Sequence, residues 1–472
     1  MKRMPAVIIS IVLSISMCGC SSSKTKTTAA KTTTINSTIS SQTSTADSSL
    51  ESEATEKVSK ELKANFKYVG SQGFPAVLKD NGDLYVWKYE IKKGKIEGGR
   101  FDGGDYATIE TTSPYDIVSG KKKSEPYLIL SNVKEFTQGY NTFMAITNNG
   151  ELYSWGLNSN GNIGCGDSND HTEPIKIMDD VKTAGYCYAI KNNGDLYIWG
   201  ENNPFADKKA TPQKILGNIV SLKRNQEALN NEFSCFALTA SGDLYTWGNI
   251  ESNFGVKSPN KNAPNLVLSG VKDYEPSNGH DGAICSALKE NGDLYIWGKF
   301  ITSENNGQIE IINHGNLSDI QKTPIKVMSN IRSLSGYSFT SNDSTIYIFD
   351  VNHNSEDKTV IVPLSKDIAE YHWDYYYKTD GSLVVSGVVY KNCKVCARVS
   401  HNYLLLINNE NNLMLASLSL SQQKTQEFPD KTKLTDVIDA SAEYVMTSDN
   451  KLYFWGLDSD NKLLGPVEVK IP

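Results

Sequence analysis

The sequence predicts an all-β protein: a β-propeller of about nine hairpin repeats (seven to nine blades) behind a signal peptide and a disordered tether. Three observations predict it. The phrase Asn192-Asn193-Gly194-Asp195-Leu196-Tyr197-Ile198-Trp199-Gly200 recurs along the chain. Its copies carry Trp87, Trp155, Trp199, Trp247, Trp297 and Trp455, and the first five lie 68, 44, 48 and 50 residues apart. Within each copy an Asn-Gly-like turn separates two short apolar strands, as Cys187-Tyr188-Ala189-Ile190 precedes Leu196-Tyr197-Ile198-Trp199.

The chain begins with an address. Lys2 and Arg3 form a positive n-region, and the apolar run from Ala6 to Met17 suits a signal peptide better than a spanning helix. Met17-Cys18-Gly19-Cys20 then resembles a bacterial lipoprotein lipobox, with Met17 where the family usually has Leu. The resemblance implies lipidation of Cys20 and an extracytoplasmic protein anchored to the bacterial cell membrane. A plain secretory signal cut elsewhere is the alternative. Residues 20–64 form the next segment. Up to Ser49 they are mostly Ser, Thr, Lys and Ala, too polar to offset ordering entropy, so a flexible tether is expected. Leu50, Ala54, Val58 and Leu62 recur at every fourth position, which fits either a short stalk helix or more tether.

Residues 65–472 hold the repeats. Asn193-Gly194 is the dipeptide of a type I′ turn, in which both residues take positive φ. Alternation then sends Leu196 and Ile198 to one face and Tyr197 and Trp199 to the other. Both faces are apolar, so each small sheet should be sandwiched between two neighbours. Phe349 replaces the tryptophan in the sixth copy, and eroded copies follow at residues 380–387 and 411–416. The closing Pro466-Val467-Glu468-Val469-Lys470-Ile471 is expected to complete the ring beside the first unit.

This phrase, with Asn158-Ser159-Asn160-Gly161-Asn162-Ile163-Gly164-Cys165-Gly166-Asp167 after it, resembles the regulator of chromosome condensation repeat. A downstream Pro-x-x-(Ile/Val) at Pro174, Pro212, Pro264 and Pro324 extends the likeness over residues 66–472. The resemblance implies a β-propeller, commonly of seven blades. The chain departs from that family: Thr142 stands where the repeat histidine would, and the Gly-Gln-Leu-Gly turn survives only as Gly161-Asn162-Ile163-Gly164. Eukaryotic members act on a small GTPase or on chromatin, which a lipoprotein outside the membrane would not meet. A secreted bacterial β-lactamase inhibitor with a similar repeat implies that the fold serves as a protein-binding disc.

Little in the chain points to catalysis. A net charge of −7 argues against nucleic acid. No G-x-S-x-G elbow, P-loop or dinucleotide fingerprint is present, and the six histidines follow no metal motif, so no cofactor, metal or catalytic residue is assigned. Cys187, Cys235 and Cys285 each precede their tryptophan by twelve residues and read as equivalent core cysteines. Cys393-Lys394-Val395-Cys396 lacks a second pair for zinc and reads as a structural pair or free thiols. The oxygen-rich Asn158–Asn162 stretch reads as the repeat's own turn rather than a calcium loop.

Two features fall outside the repeat. The interval between Trp87 and Tyr127 is Gly-rich and basic, with Arg100, Tyr106 and Lys122 as candidate binding residues. The run Tyr371-His372-Trp373-Asp374-Tyr375-Tyr376-Tyr377 offers Trp373 as an aromatic contact, against core packing of an eroded repeat. The expectation is a surface-tethered, non-enzymatic scaffold that binds a protein through loops on one face. A glycan-binding module or polysaccharide-active enzyme and a structural spacer are the alternatives; an enzyme would need converging carboxylates about 5–9.5 Å apart.

Overall fold

The computed structural model describes residues 65–472, apart from short stretches that include 96–104, 201–209, 227–232, 249–262, 313–320, 353–357 and 428–433. The expected signal peptide, the expected tether with its possible stalk helix, and Cys20 lie outside the described residues. Residues 62–472 form one compact unit. Its described residues contain nine antiparallel blade sheets, eight of four strands and the sixth enlarged to six, and a separate two-stranded sheet. The blades span residues 66–130, 133–178, 181–216, 219–268, 271–328, 331–363, 368–390, 393–427 and 437–469. Each hairpin therefore has a blade of its own, and the ring has nine blades where the resemblance implied seven. No helix among the described residues is long and apolar enough to cross a bilayer.

The alternation read in the sequence builds the interfaces between blades. Leu196 and Ile198 of blade 3 pack with Ile219, Cys235, Ala237 and Trp247 of blade 4. Trp199 points the other way, into a cluster with Met144, Ile146 and Leu152 of blade 2. Each tryptophan thus docks on the preceding blade, and all six are at most 1% exposed. The same pattern closes the ring. Trp87 and Val77 of blade 1 meet Tyr444, Met446, Leu452 and Phe454 of blade 9, with Val469 and Ile471 packed alongside. Asn65 N donates to Asn450 Oδ1 at 2.9 Å across this junction. Burying such large rings out of water is the main stabilising term, roughly 1.5–3 kcal/mol for each large apolar side chain.

The repeated turn is not type I′. Lys191 N donates to Asp195 O and Gly194 N to Lys191 O, both at 2.9 Å, and only Gly194 of the turn has positive φ, 83°. That is a three-residue loop, a type I turn closed by a left-handed residue. Its glycine carbonyl then takes the N–H of the next blade's first strand. Val133 N donates to Gly82 O, Val181 N to Gly150 O, Ile219 N to Gly194 O, Val271 N to Gly242 O and Ile331 N to Gly292 O, at 2.7–3.0 Å. The turn stitches neighbouring blades together as well as joining two strands.

An up-and-down blade places its turns at two ends. The end with the Asn-Gly turns carries mostly short connections, with residues 428–436 between blades 8 and 9 the exception. The opposite end carries the strand 1–2 and strand 3–4 connections, which include the five longest. Residues 88–125 there fold into a hairpin, Tyr89–Lys95 with Asp105–Thr111, and a helix, Pro114–Val118. Between strands 3 and 4 of blade 5, the strands Ile301–Asn305 and Gln308–Ile312 form a second inserted hairpin. Gln308–Ile312 pairs with the edge of blade 6 and enlarges that sheet.

The cysteine readings hold in part. Cys187, Cys235 and Cys285 are buried and form no disulfide; Cys187 Sγ donates to Asn162 Oδ1 at 3.4 Å, and the other two lie directly across from Trp247 and Trp297. Burial pushes the Cys235 and Cys285 thiols up. Cys393 and Cys396 are also free; Cys393 belongs to the cluster between blades 7 and 8, and Cys396 packs toward blade 9.

Candidate functional site

The face with the long connections carries the candidate site, where the inserted hairpin meets the turn of blade 2. Tyr89 anchors the hairpin. Its ring is 8% exposed and lies 5.2 Å from the Phe74 ring, edge-on, with Phe143 beyond. Its hydroxyl donates to Thr172 O, and burial pushes its pKa well up. Lys93 Nζ lies 2.5 Å from Asp170 Oδ2, while Lys92 pairs with Glu110 across the hairpin. Two of the basic charges expected to face a partner are thus engaged within the protein.

The blade 2 turn is held from inside. Asn158 is fully buried; its Oδ1 accepts from Ile163 N at 2.8 Å and its Nδ2 donates to Asp167 O at 3.0 Å. Asp170 Oδ1 accepts from Asn158 N at 2.8 Å. Asn162 O accepts from Trp199 Nε1 at 2.8 Å, so the turn also seats the tryptophan of the next blade. This bonding satisfies the Asn158–Asn162 stretch as a turn.

Three side chains converge at its rim. Cys165 Sγ lies 3.5 Å from Asp167 Oδ1 and 3.7 Å from His171 Nε2, and His171 Nε2 lies 3.2 Å from Asp167 Oδ1. Burial pushes the Cys165 thiol up, and the Asn169 N–H and His171 hold the Asp167 carboxyl below its ordinary value. Sulfur, carboxylate and imidazole in one group can share protons or hold a metal ion. The sequence reading quoted Cys165 and Asp167 within a turn string but missed this group. The available signal was Cys165-x-Asp167-x-x-x-His171, without any second pair to support it.

The residues selected from sequence do not assemble into one site. Arg100 and Trp373 lie outside the described residues. Tyr106 is on the second strand of the inserted hairpin, opposite Gly94. Lys122 is exposed just after the helix Pro114–Val118, whose Ile117 and Val118 pack into the closure between blades 9 and 1. The hairpin docks toward blade 2 and the helix toward blade 9, so the insertion straddles blade 1 rather than forming a single loop. In the aromatic run, Tyr375 and Tyr377 belong to the cluster between blades 7 and 8, and Tyr377 Oη accepts from Val395 N at 3.0 Å. Those rings are core packing.

Residues 133–162 and 149–184 match the regulator of chromosome condensation (RCC1) repeat. The likeness to that repeat spans residues 133–184. The matched segment is blade 2 and the start of blade 3, where the Gly161–Gly164 turn is intact. E3 ubiquitin-protein ligase HERC2 of Homo sapiens and of Mus musculus are each 31% identical over 100 residues, 21% of this chain. That stretch spans about 2% of the length of either ligase. Among solved structures, Prp20p of Saccharomyces cerevisiae is 16% identical, with 68% of this chain and 84% of that one covered and a TM-score of 0.37. Yeast RCC1 (Prp20) with Kap60 gives 18% identity, 75% and 80% coverage and a TM-score of 0.36.

Proposed function

We propose that this protein is a non-enzymatic, lipid-anchored binding scaffold at the bacterial cell surface, and that its long-connection face engages a protein partner. The observation that carries the reading is the asymmetry of the two faces. One consists mostly of short turns bonded into neighbouring blades; the other collects the five longest connections, with a folded hairpin docked onto blade 2. A preformed ring presents these loops with little ordering cost on binding, which favours recognition by a surface rather than by a folding segment. Cys20 and the tether to residue 64 would hold the propeller away from the membrane.

The test compares two altered faces. The hairpin tip, residues 92–108, is replaced by a Gly-Gly turn in one variant. In the other, Asp195→Lys and Asp293→Lys reverse charge on the short-turn face. Capture of an envelope or secreted protein should be lost in the first and kept in the second. Equal capture by both, or loss only in the second, would overturn the assignment of the face. Cys20→Ser should move the protein from the membrane to the soluble fraction; membrane retention would refute the anchor.

A further inference from the structure

The Cys165–Asp167–His171 group has the dimensions of a metal site. Zinc binds thiolate sulfur at about 2.3 Å, imidazole nitrogen at about 2.0–2.1 Å and carboxylate oxygen at about 2.0–2.2 Å, tetrahedrally. The edge of a tetrahedron is about 1.6 times the bond length, so those bonds require S···N and S···O near 3.6 Å and N···O near 3.4 Å. The three separations here are 3.7, 3.5 and 3.2 Å. All three edges of one tetrahedral face are therefore matched to about 0.2 Å before any ion arrives.

We propose that Cys165, Asp167 and His171 form a zinc-type divalent metal site with three protein ligands and a fourth position turned to solvent. The donor set decides the class of metal. A thiolate with an imidazole suits zinc and its borderline neighbours, whereas calcium and magnesium take oxygen. The support around the ligands has the character of an outer shell. Asn158 Nδ2, at 3.2 Å, and Asn169 N, at 2.8 Å, both donate to Asp167 Oδ1 and orient the carboxylate. Gly166 N donates to Ala210 O at 2.8 Å, which fixes the backbone beside Cys165 to blade 3. His171 opens the fourth strand of blade 2 in register with Gly156. The His171 and Asp167 side chains are 26% and 44% exposed, so the remaining position is reached from outside, by water or by a side chain of another molecule. On binding, the Cys165 thiol proton leaves to solvent and the metal takes its place, while His171 binds through Nε2 with its proton on Nδ1. The proposal stands whether or not the face binds a protein.

The experiment is a titration of the reduced, metal-free purified protein with Co(II), then Zn(II). One equivalent of Co(II) should give thiolate-to-cobalt charge-transfer absorption in the near ultraviolet and the strong visible bands of four-coordinate cobalt. Zn(II) should erase both. Cys165→Ser should abolish the charge-transfer band. His171→Ala should weaken binding more than the 10–100-fold typical of outer-shell losses. Cys396→Ser, at the other partly exposed thiol, should leave the spectrum unchanged. Zn(II) should also raise the Tm of the wild type and not that of Cys165→Ser, whose metal-free Tm checks that it folds. Absence of thiolate absorption in the wild type, or a band that survives Cys165→Ser, would overturn the site.

Discussion

At Gly242, φ is 84° and an added Cβ would stand 3.1 Å from Val271 O, the backbone of the next blade. The residue serves both turn and stitch, and no other amino acid fits it without strain. Gly242→Ala should cost about 1–2 kcal/mol for the left-handed backbone, and more from the contact. Among the described residues, two blades already carry that penalty: Ser344 at φ 69° and Asn450 at φ 62° hold the glycine's place. Ser344→Gly should therefore raise stability by up to about 1 kcal/mol, the relief less glycine's own entropy cost. Thermal unfolding of the two variants checks the pair, which should move in opposite directions. The Asn-Gly phrase was legible in the sequence as a hairpin turn. Its type was not, because types with two and three loop residues share that dipeptide and differ only in where the ladder closes. That depends on the pairing of Lys191 with Asp195, which no local pattern prints.

The inserted hairpin shows the same limit at the scale of an element. Its glycines and lysines read as a basic loop, yet it folds, because Tyr89 supplies a buried anchor and Asp170 a counter-charge from the next blade. Thr172, which accepts from Tyr89, lies 83 residues along the chain, and Asp170 is close to it, so the composition of the insertion alone could not reveal them. The Cys165 group was hidden for a related reason: His171 belongs to a strand, Cys165 to a turn, and only the chain reversal between them brings the donors together. Tyr89→Phe removes one hydrogen bond and should cost about 1 kcal/mol. Tyr89→Ala also empties the pocket against Phe74 and Phe143 and should cost about 3–5 kcal/mol. Amide exchange should separate the two effects. In Tyr89→Phe, protection should fall within Tyr89–Lys95 and Asp105–Thr111 while the strands of blade 4 keep theirs; uniform loss would mean the hairpin is not docked as an independent element.

For the whole molecule, the decisive quantity is closure. Period and phase in the sequence announced nine units because six tryptophans each mark a blade and the pattern outlasts the residue's replacement at Phe349, Ser386 and Ala416. In blade 7, Ser386 stands where the tryptophan would, and its hydroxyl donates to Leu418 O at 2.8 Å, while Tyr375 and Tyr377 pack on the other side of the blade, toward blade 8. The closing junction keeps its tryptophan, Trp87. Its sheet ends with Leu463–Val469, where Glu468 pairs with Tyr453 and Val469 with Leu452, and Val469 and Ile471 cover Trp87 and Phe454. Removing residues 466–472 breaks those rungs and uncovers the first blade, a loss of roughly 2–4 kcal/mol from two partly buried aliphatic side chains. Because a closed ring has no free sheet face, the damage should spread to both sides of the junction. Tm should fall, and exchange protection should drop in blades 1 and 9 before blades 4 and 5. An unchanged Tm would show that the ring is held by its eight covalently continuous junctions and gains nothing from the ninth.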